Sequence, residues 1–266
     1  MLTIGLVGCG VIGSRLASEI QNRFRTKARL IGVCDKEPHK ARLLGRTLRP
    51  PVPVLTKKQI VSRSRLILET ASAQAVGEIL PEIVKQRKAL LTLSASGLLR
   101  YPRLLQKAVK AQIPLYVPSG ALAGLDGVKA GRVGKLISVT LKTRKPPRAL
   151  IGAPGVGKMN LLSLKRPRLI FSGSASRAIS LFPQNINVAA TLALAGIGAK
   201  RTRVQIIADP SLRTNIHEIT VVGQFGRLIA RTENRPSKEN PKTSQLAVDS
   251  AVTTLRQILD PFRIGT

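Results

Sequence analysis

The sequence predicts an α/β protein built in two parts. Three observations carry this reading. Apolar, strand-like runs alternate with helical spacing from the N-terminus to about Gly120, with short connections. A glycine-rich turn joins the first strand to the first helix. Beyond Gly120 the rhythm changes to alternating, β-rich segments around one apolar helix. Strand–helix alternation of the first kind specifies a parallel sheet covered on both faces, so a doubly wound layer opens the chain and a second, differently built layer follows.

Each element has its own signal. Leu2–Val7 is a continuous apolar run and predicts a buried strand; Ser14–Gln21 follows with Leu16 and Ile20 on one helical face. Ala28–Cys34 predicts the second strand, ending in Asp35, and Pro38–Leu48 a basic helix. A short strand is expected at Val52–Leu55 between prolines, then a short helix at Lys57–Ser62. Leu66–Leu68, a helix over Ala73–Lys85, Lys88–Leu93 and Pro114–Val117 complete the series. In the second part, Leu136–Thr143 alternates as a strand of a partly exposed sheet does, and Leu169–Gly173 is strand-like. Asn187–Ala199 predicts an apolar helix capped by Asn185 or Asn187. Arg203–Ala208, Glu218–Val222 and Gly226–Ala230 are β-rich, the last two as a pair. Asn234–Pro241 is polar and turn-rich, and Thr243–Leu259 predicts a closing helix.

Composition narrows the function classes. Apolar residues make up 43%, enough for a packed core, while aromatics are only 3% with no Trp, a poor supply for stacking nucleobases. Two cysteines cannot make a disulfide scaffold. The longest near-apolar run, Val188–Ala199, is too short to cross a bilayer, and MLTIGLVGCGVIG lacks the basic leader of a signal peptide, so a soluble, cytoplasmic chain is expected. The charge is unusual: 44 Lys and Arg against 13 Asp and Glu give +31. From Gly127 to Ala208 there is no acid among fifteen bases. They are spread singly, the densest groups being Lys142, Arg144, Lys145 and Arg148, then Lys165, Arg166 and Arg168. That pattern fits a solvated basic surface with incidental nucleic-acid affinity, a few of whose cations could serve an anionic substrate.

The strongest motif is Gly8-Cys9-Gly10-Val11-Ile12-Gly13. Between a strand and a helix, its glycines permit a tight turn and close backbone approach, so the N–H groups of Val11 and Ile12 can face a pyrophosphate. Asp35, 22 residues beyond Gly13 at the end of the second strand, suits the adenosine ribose hydroxyls and favours NAD; Lys36, Lys40 and Arg42 leave NADP open. Gly152–Lys158 nearly spells a phosphate-binding P-loop, but Met159 stands where a hydroxyl is needed, so it reads as a plain glycine-rich loop. Of two histidines, His39 lies on the charged helix and reads as exposed. His217, at a loop-to-strand transition, is the candidate proton carrier. Cys9 and Cys34 read as buried free thiols, and no Cys/His cluster offers a metal site.

Longer strings carry a family resemblance. Pro118-Ser-Gly-Ala-Leu-Ala-Gly-Leu-Asp126, Thr143-Arg-Lys-Pro-Pro147, Leu181-Phe-Pro-Gln-Asn-Ile-Asn-Val-Ala-Ala190, Ile207-Ala-Asp-Pro210, Asn215-Ile-His-Glu-Ile219, Gly223-Gln-Phe-Gly226 and Asn240-Pro-Lys-Thr-Ser244 resemble those of L-aspartate dehydrogenases, in order and along the whole chain. The resemblance implies an N-terminal Rossmann NAD(P)-binding domain over residues 1–120, an α+β substrate and dimerisation domain over 121–242, and a helix over 243–260 that packs back on the first. It implies oxidation of L-aspartate with NAD or NADP to iminoaspartate, then oxaloacetate and ammonia, or supply of that imine to NAD biosynthesis, in a homodimer. It assigns His217 as proton donor and acceptor, and Ala121 and Asn187 as cofactor contacts.

The chemistry agrees with those assignments. A base must take a proton from the substrate amine as the imine forms, and an imidazole from the second part meeting the redox ring held by the first would do so. Ala121 can offer only backbone and a small surface; Asn187 can donate and accept. For the two substrate carboxylates, Arg177 and Lys242 are the expected cations. The +31 charge departs from the near-neutral or acidic balance expected of the family, its excess lying mainly outside the motifs, as at Lys57, Lys58, Arg63 and Arg65. Two other readings stand beside this one: a related two-domain reductase of the dihydrodipicolinate or homoserine type, and a non-enzymatic dinucleotide-fold protein that binds polyanions.

Overall fold

The computed structural model describes residues 1–183, 186–240 and 243–265. Two compact units are formed, one from Met1–Pro118 with Val248–Arg263, the other from Ser119–Ala247 with the last residues from Ile264.

The first unit is a parallel five-stranded sheet. β1 (Leu2–Val7) leads into helix α1 (Val11–Asn22), then β2 (Ala28–Cys34), α2 (Pro38–Thr47), α3 (Lys57–Arg63), β3 (Leu66–Glu69), α4 (Ala73–Gln86), β4 (Ala89–Thr92), α5 (Ala95–Arg100), α6 (Pro102–Lys110) and β5 (Leu115–Tyr116). The strand order is β2-β1-β3-β4-β5, every pairing parallel. The order reverses beside β1, and it is outside the carboxyl ends of strands at such a switch point that ligands bind in open α/β sheets. β1 and β3 are buried on both faces, which is why they read as unbroken apolar runs. The expected strand at Val52–Leu55 shrinks to one parallel bridge, Val33 to Val54. Pro53 has no N–H, so only its carbonyl and the Leu55 N–H reach Val33. Helices α5 and α6 fill a stretch for which no element is predicted; their starts lack a side-chain cap, the usual signal. The closing helix, given below, contributes Ala251 and Leu255 to the core of this unit, beside Leu16 and Ile20 of α1.

A buried carboxyl holds the switch point together. Glu69 ends β3 opposite Val7 of β1 and Thr92 of β4. It accepts the N–H groups of Ala71 and Ser72, both at 2.8 Å, the Ser94 hydroxyl at 3.0 Å and the Thr92 hydroxyl. Burial pushes its pKa up, against the four donors that favour its charge. Next to it, the Thr70 hydroxyl donates to the Gly8 carbonyl at 2.8 Å. Three turns at the carboxyl edge of the sheet are thus fixed by one side chain and its neighbour.

The second unit opens with α7 (Leu125–Gly131) and the long strand β6 (Leu136–Lys145), followed by short 3₁₀ turns from Pro147 to Ser163. Then come β7 (Arg168–Ser174), α8 (Ala175–Leu181), α9 (Asn187–Ala195), β8 (Arg203–Ala208), β9 (Asn215–Gly223), β10 (Gly226–Asn234) and α10 (Gln245–Leu259), the last shared between the units. The sheet order is β10-β9-β6-β8-β7, with β6 and β8 parallel and the other pairs antiparallel. Ile186 occupies the N-cap position of α9 and Asn187 is its first helical residue, so Asn187 is not the cap; Asn185 lies outside the described residues. The helix stops before Gly196, short of the predicted Ala199, and Gly198 (φ +83°) carries the chain out of it. The Gly152–Lys158 stretch forms a 3₁₀ turn at Pro154–Val156, with no helix for a phosphate to cap.

One face of this sheet is buried, and its character changes along the strands. Val139, Val221 and Leu228 form one cross-strand row, and Leu141, Ile219 and Ala230 the next. The following row is Thr143, His217 and Thr232, and there the face turns polar. Gly124 and Gly127 bring α7 close over the apolar rows, where an added Cβ would meet Ala230 and Leu228 at 2.8 and 2.4 Å.

Candidate functional site

The glycine turn of the first unit has the properties a dinucleotide needs. Gly8 takes φ +103°, a region side chains rarely adopt. A Cβ on Gly13 would stand 2.0 Å from the Gly8 carbonyl oxygen, so only glycine lets α1 pack against the turn. Gly10 differs: it is exposed, and a Cβ there meets nothing within 4 Å. Gly10 is also the N-cap of α1, and no side chain caps that helix. The N–H groups of its first turn, Val11 and Ile12 included, are therefore presented to whatever binds. Asp35 stands beside them, accepting the Cys9 N–H at 2.7 Å and the Glu37 N–H at 2.8 Å. Its carboxylate anchors the glycine turn and keeps lone pairs for a ribose hydroxyl. These residues fit a nicotinamide dinucleotide: an open glycine, an uncapped helix start and an acid at the second strand's end. Cys9 and Cys34 are buried and free; burial, then the Asp35 charge, pushes the Cys9 thiol up to about 12, so it is no thiolate.

His217 is the third residue of β9 and lies inside the strand, not at its edge as the sequence predicts. It is only 3% exposed. Its Nδ1 is 2.8 Å from Thr143 Oγ1 on the neighbouring strand. Burial, then the charge of Lys145, pushes the imidazole down to about 3, so it is neutral throughout the physiological range. On its other side Thr232 donates its hydroxyl to the Ala121 carbonyl at 2.8 Å, and Asn234 Nδ2 donates to the same oxygen at 3.2 Å. The Ser244 hydroxyl in turn donates to Asn234 Oδ1 at 3.1 Å. The structure thus brings Ala121 and His217 together through one threonine.

Lys145 is a buried base on the same strand as Thr143. It lies two positions beyond Thr143 on β6, on the same buried face by strand alternation, and is 5% exposed. Burial pushes its ammonium down to about 8. Arg144 between them points the other way and donates from Nε to Asp209 Oδ2 at 3.0 Å. Burial raises the Asp209 carboxyl, but the Ser211 and Arg144 hydrogen bonds outweigh it and hold it below its usual value. The Asp209 N–H donates to the Lys145 carbonyl at 2.8 Å, so this acid pins the end of β6.

The other expected residues are spread out. Asn187 begins α9 and is exposed. Arg177 is exposed on α8, its backbone N–H capped by Ser174 Oγ at 3.3 Å, and it forms no ion pair among the described residues. Lys242 lies outside the described residues. The sequence does not single out Thr143, Thr232, Asn234 or Lys145: Arg231-Thr-Glu-Asn234 and Thr143-Arg-Lys145 are polar at every position, so no alternation marks which of them face inward. Among the described residues, no three His, Cys, Asp or Glu side chains gather to hold a metal ion, and no helix is long and apolar enough to cross a membrane.

This pairing of a dinucleotide-binding unit with a mixed-sheet unit defines a two-domain nicotinamide-dependent oxidoreductase. Residues 8–118 match the NAD-binding domain of homoserine dehydrogenase, and residues 126–258 match the C-terminal domain of aspartate dehydrogenase. The L-aspartate dehydrogenases of Methanosarcina mazei and Methanosarcina acetivorans are 44% and 45% identical to it, with 100% of both chains covered in each case. The crystal structure of aspartate dehydrogenase from Thermotoga maritima superposes with a TM-score of 0.77 at 28% identity, covering 100% of both chains. The chain belongs to the L-aspartate dehydrogenase family. A homoserine dehydrogenase from Thiobacillus denitrificans shares the fold alone, at 11% identity and a TM-score of 0.61 over 97% of this chain and 73% of that one.

Two predictions follow from this geometry. Gly10→Ala should lower the melting temperature only slightly, as alanine at an N-cap does, and weaken NADH binding in a fluorescence titration, whereas Gly13→Ala should lower the melting temperature far more; equal stability losses would show that Gly10 is not kept open for a ligand. The buried imidazole should also make the fold acid-sensitive. Unfolded, it takes a proton near 6.5; folded, only near 3, so stability present above 6.5 is lost as pH falls between those values. In urea melts, His217→Gln should lose less stability than the wild type between about pH 6.5 and 4, by on the order of 3 kcal/mol. Parallel curves would mean that the imidazole titrates normally.

Proposed function

We propose that this protein oxidises L-aspartate to iminoaspartate with a nicotinamide dinucleotide, the imine then taking up water to give oxaloacetate and ammonia. The buried His217–Thr143 pair carries the reading. Forming a C=N bond from an amino acid removes a hydride from Cα and protons from nitrogen, and the bound nicotinamide supplies the hydride acceptor. What the chain must supply is a neutral base at the nitrogen. In the tautomer that donates Nδ1–H to Thr143 Oγ1, His217 keeps the Nε2 lone pair for that proton. Burial keeps the imidazole unprotonated before substrate arrives. Ala121, whose carbonyl is tied down by Thr232 and Asn234, and Asn187 at the start of α9 are the second unit's cofactor contacts, and Gly8, Gly10, Val11, Ile12, Gly13 and Asp35 are the first unit's. The family resemblance supports this reading, together with a cytoplasmic homodimer whose imine is either hydrolysed or passed to NAD biosynthesis.

The direct test is the rise in reduced-nicotinamide absorbance on mixing protein, L-aspartate and NAD or NADP. His217→Ala should lower kcat by about 100- to 10,000-fold and keep its affinity for NADH; an unchanged turnover number removes the proton-transfer role. NAD is the preferred cofactor in this reading, because Asp35 suits free ribose hydroxyls and repels a 2′-phosphate. Asp35→Ala should therefore weaken NAD more than NADP. Equal weakening would reduce Asp35 to its support of the glycine turn through the Cys9 and Glu37 N–H groups.

A further inference from the structure

We propose that the amino-terminal edge of the first unit's sheet binds the phosphate backbone of double-stranded nucleic acid, through a row of bases formed by Arg63, Arg65, Lys85, Arg87, Lys88 and Lys110. This surface is separate from the dinucleotide turn, and its function is independent of the reaction proposed above.

Topology gathers these residues. In a parallel sheet all strands start at one edge, and the crossover helices return the chain to that edge. Arg65 and Lys88 immediately precede the paired strands β3 and β4, and the Ala89 N–H donates to the Arg65 carbonyl at 3.0 Å. Helix α3 ends at Arg63, α4 at Gln86 with Arg87 next, and α6 at Lys110; α3 and α6 each pack against α4. Hydrogen bonds tie these ends together. Lys88 Nζ donates to the Ser62 carbonyl at 3.2 Å, and Arg87 Nη2 donates to the Ala111 carbonyl at 2.9 Å.

The charge of the row exceeds what the helices need. Arg63, Arg65, Lys85, Arg87 and Lys110 are exposed, and none of the six forms an ion pair among the described residues. The acid nearest to them along the chain is Glu82, one turn back on α4, and its carboxylate accepts Gln86 Nε2. Asp260, beside the start of β2, is taken by Lys27 and Arg256. Cations at helix ends are ordinary because they offset the dipole, but each end carries only about half a negative charge. Three ends therefore neutralise about one and a half of these positive charges. Lys88 and Arg87 each spend one N–H on a carbonyl at a helix end and keep their others for a ligand.

The form of the row selects the partner. Neighbouring strands start about 4.8 Å apart, so these bases are fixed on a stiff edge, and a duplex presents a stiff line of closely spaced phosphates to match it. Arginines supply half of the row and can grip phosphate bidentately. Single strands would call for stacking side chains, and aromatics are only 3% of the chain. A membrane surface would call for apolar anchors among the bases. Near this edge the exposed large apolar side chains among the described residues are Met1 and Val109, neither of them aromatic. The glycine turn lies at the far end of β1, about 20 Å away along a strand of six residues, so a duplex bound here leaves it open.

The test is the fluorescence anisotropy of a labelled, mixed-sequence DNA duplex of about 20 base pairs, titrated with the full chain between about 50 and 200 mM salt. One variant carries Arg63→Gln, Arg65→Gln, Lys85→Gln and Arg87→Gln. The control carries Lys165→Gln, Arg166→Gln, Arg168→Gln and Arg203→Gln, which removes the same charge from exposed bases of the second unit. At 100 mM salt the edge variant should bind about 10- to 1,000-fold more weakly, its salt slope reduced by about 3 to 4, while the control stays within about threefold of wild type. Both should keep the NADH affinity of the wild type. Equal losses in the two variants would assign the binding to spread net charge and overturn the proposal. So would a wild-type protein that does not bind the duplex, one whose duplex binding is displaced by NADH, or one that binds phosphatidylserine vesicles in its place. If the edge variant does not fold, Arg63→Gln with Arg87→Gln, set against Arg166→Gln with Arg203→Gln, decides the question in the same way.

Discussion

The register between β6, β9 and β10 is the constraint on which the second unit depends. His217 faces Thr143 on one side and Thr232 on the other because those three positions are paired across the strands. A slip of one residue would turn all three to the opposite face and put Glu218, Arg144 or Arg231 in their place. The apolar rows before them, Val139 with Val221 and Leu141 with Ile219, prevent that slip, since it would expose buried aliphatic side chains. Hydrophobic burial at one end of the sheet thus sets the hydrogen-bond geometry at the other.

A comparable logic governs the first unit, with backbone in place of side chains. Gly13 is required because the Gly8 carbonyl occupies the space of its Cβ, and Gly8 is held in turn by the Thr70 hydroxyl beside the Glu69 hub. The turn is stiff before any ligand arrives, and the helix N-terminus it presents has no cap of its own. Stiffness lowers the ordering cost of binding, and uncapped N–H groups supply the attraction for phosphate.

Charge is distributed on two scales. The +31 excess is an exposed, mostly scattered feature that sets long-range attraction for anions. Inside the second unit, among the described residues, Lys145 and His217 are buried on one face, where burial disfavours the charge of each and the Lys145 charge further opposes protonation of His217. Exposed charges of the first kind are screened by salt within a Debye length; buried ones act at short range and at full strength.

Strands β1, β2 and β8 fall where their apolar runs predict, and the glycine turn and Asp35 are legible in full, because both are local: a strand's burial and a turn's backbone freedom are written in adjacent residues. Helices α5, α6, α7 and α8 are short, six to nine residues, and the sequence reading does not predict them, although Pro102 at the start of α6 and Ser174 capping α8 are local start signals. The Val52–Leu55 strand reduces to one bridge because prolines remove the donors a ladder needs. His217 and Ala121 could be singled out from their strings, but the threonine that joins them could not, being 15 residues from one and 111 from the other. The sequence by itself determined the fold class, the glycine turn and which histidine is the candidate base. Only the tertiary structure decided which cation shares the histidine's face, because strand pairing joins residues at separations that no local pattern records, and burial alone distinguishes Lys145 from the other bases around it.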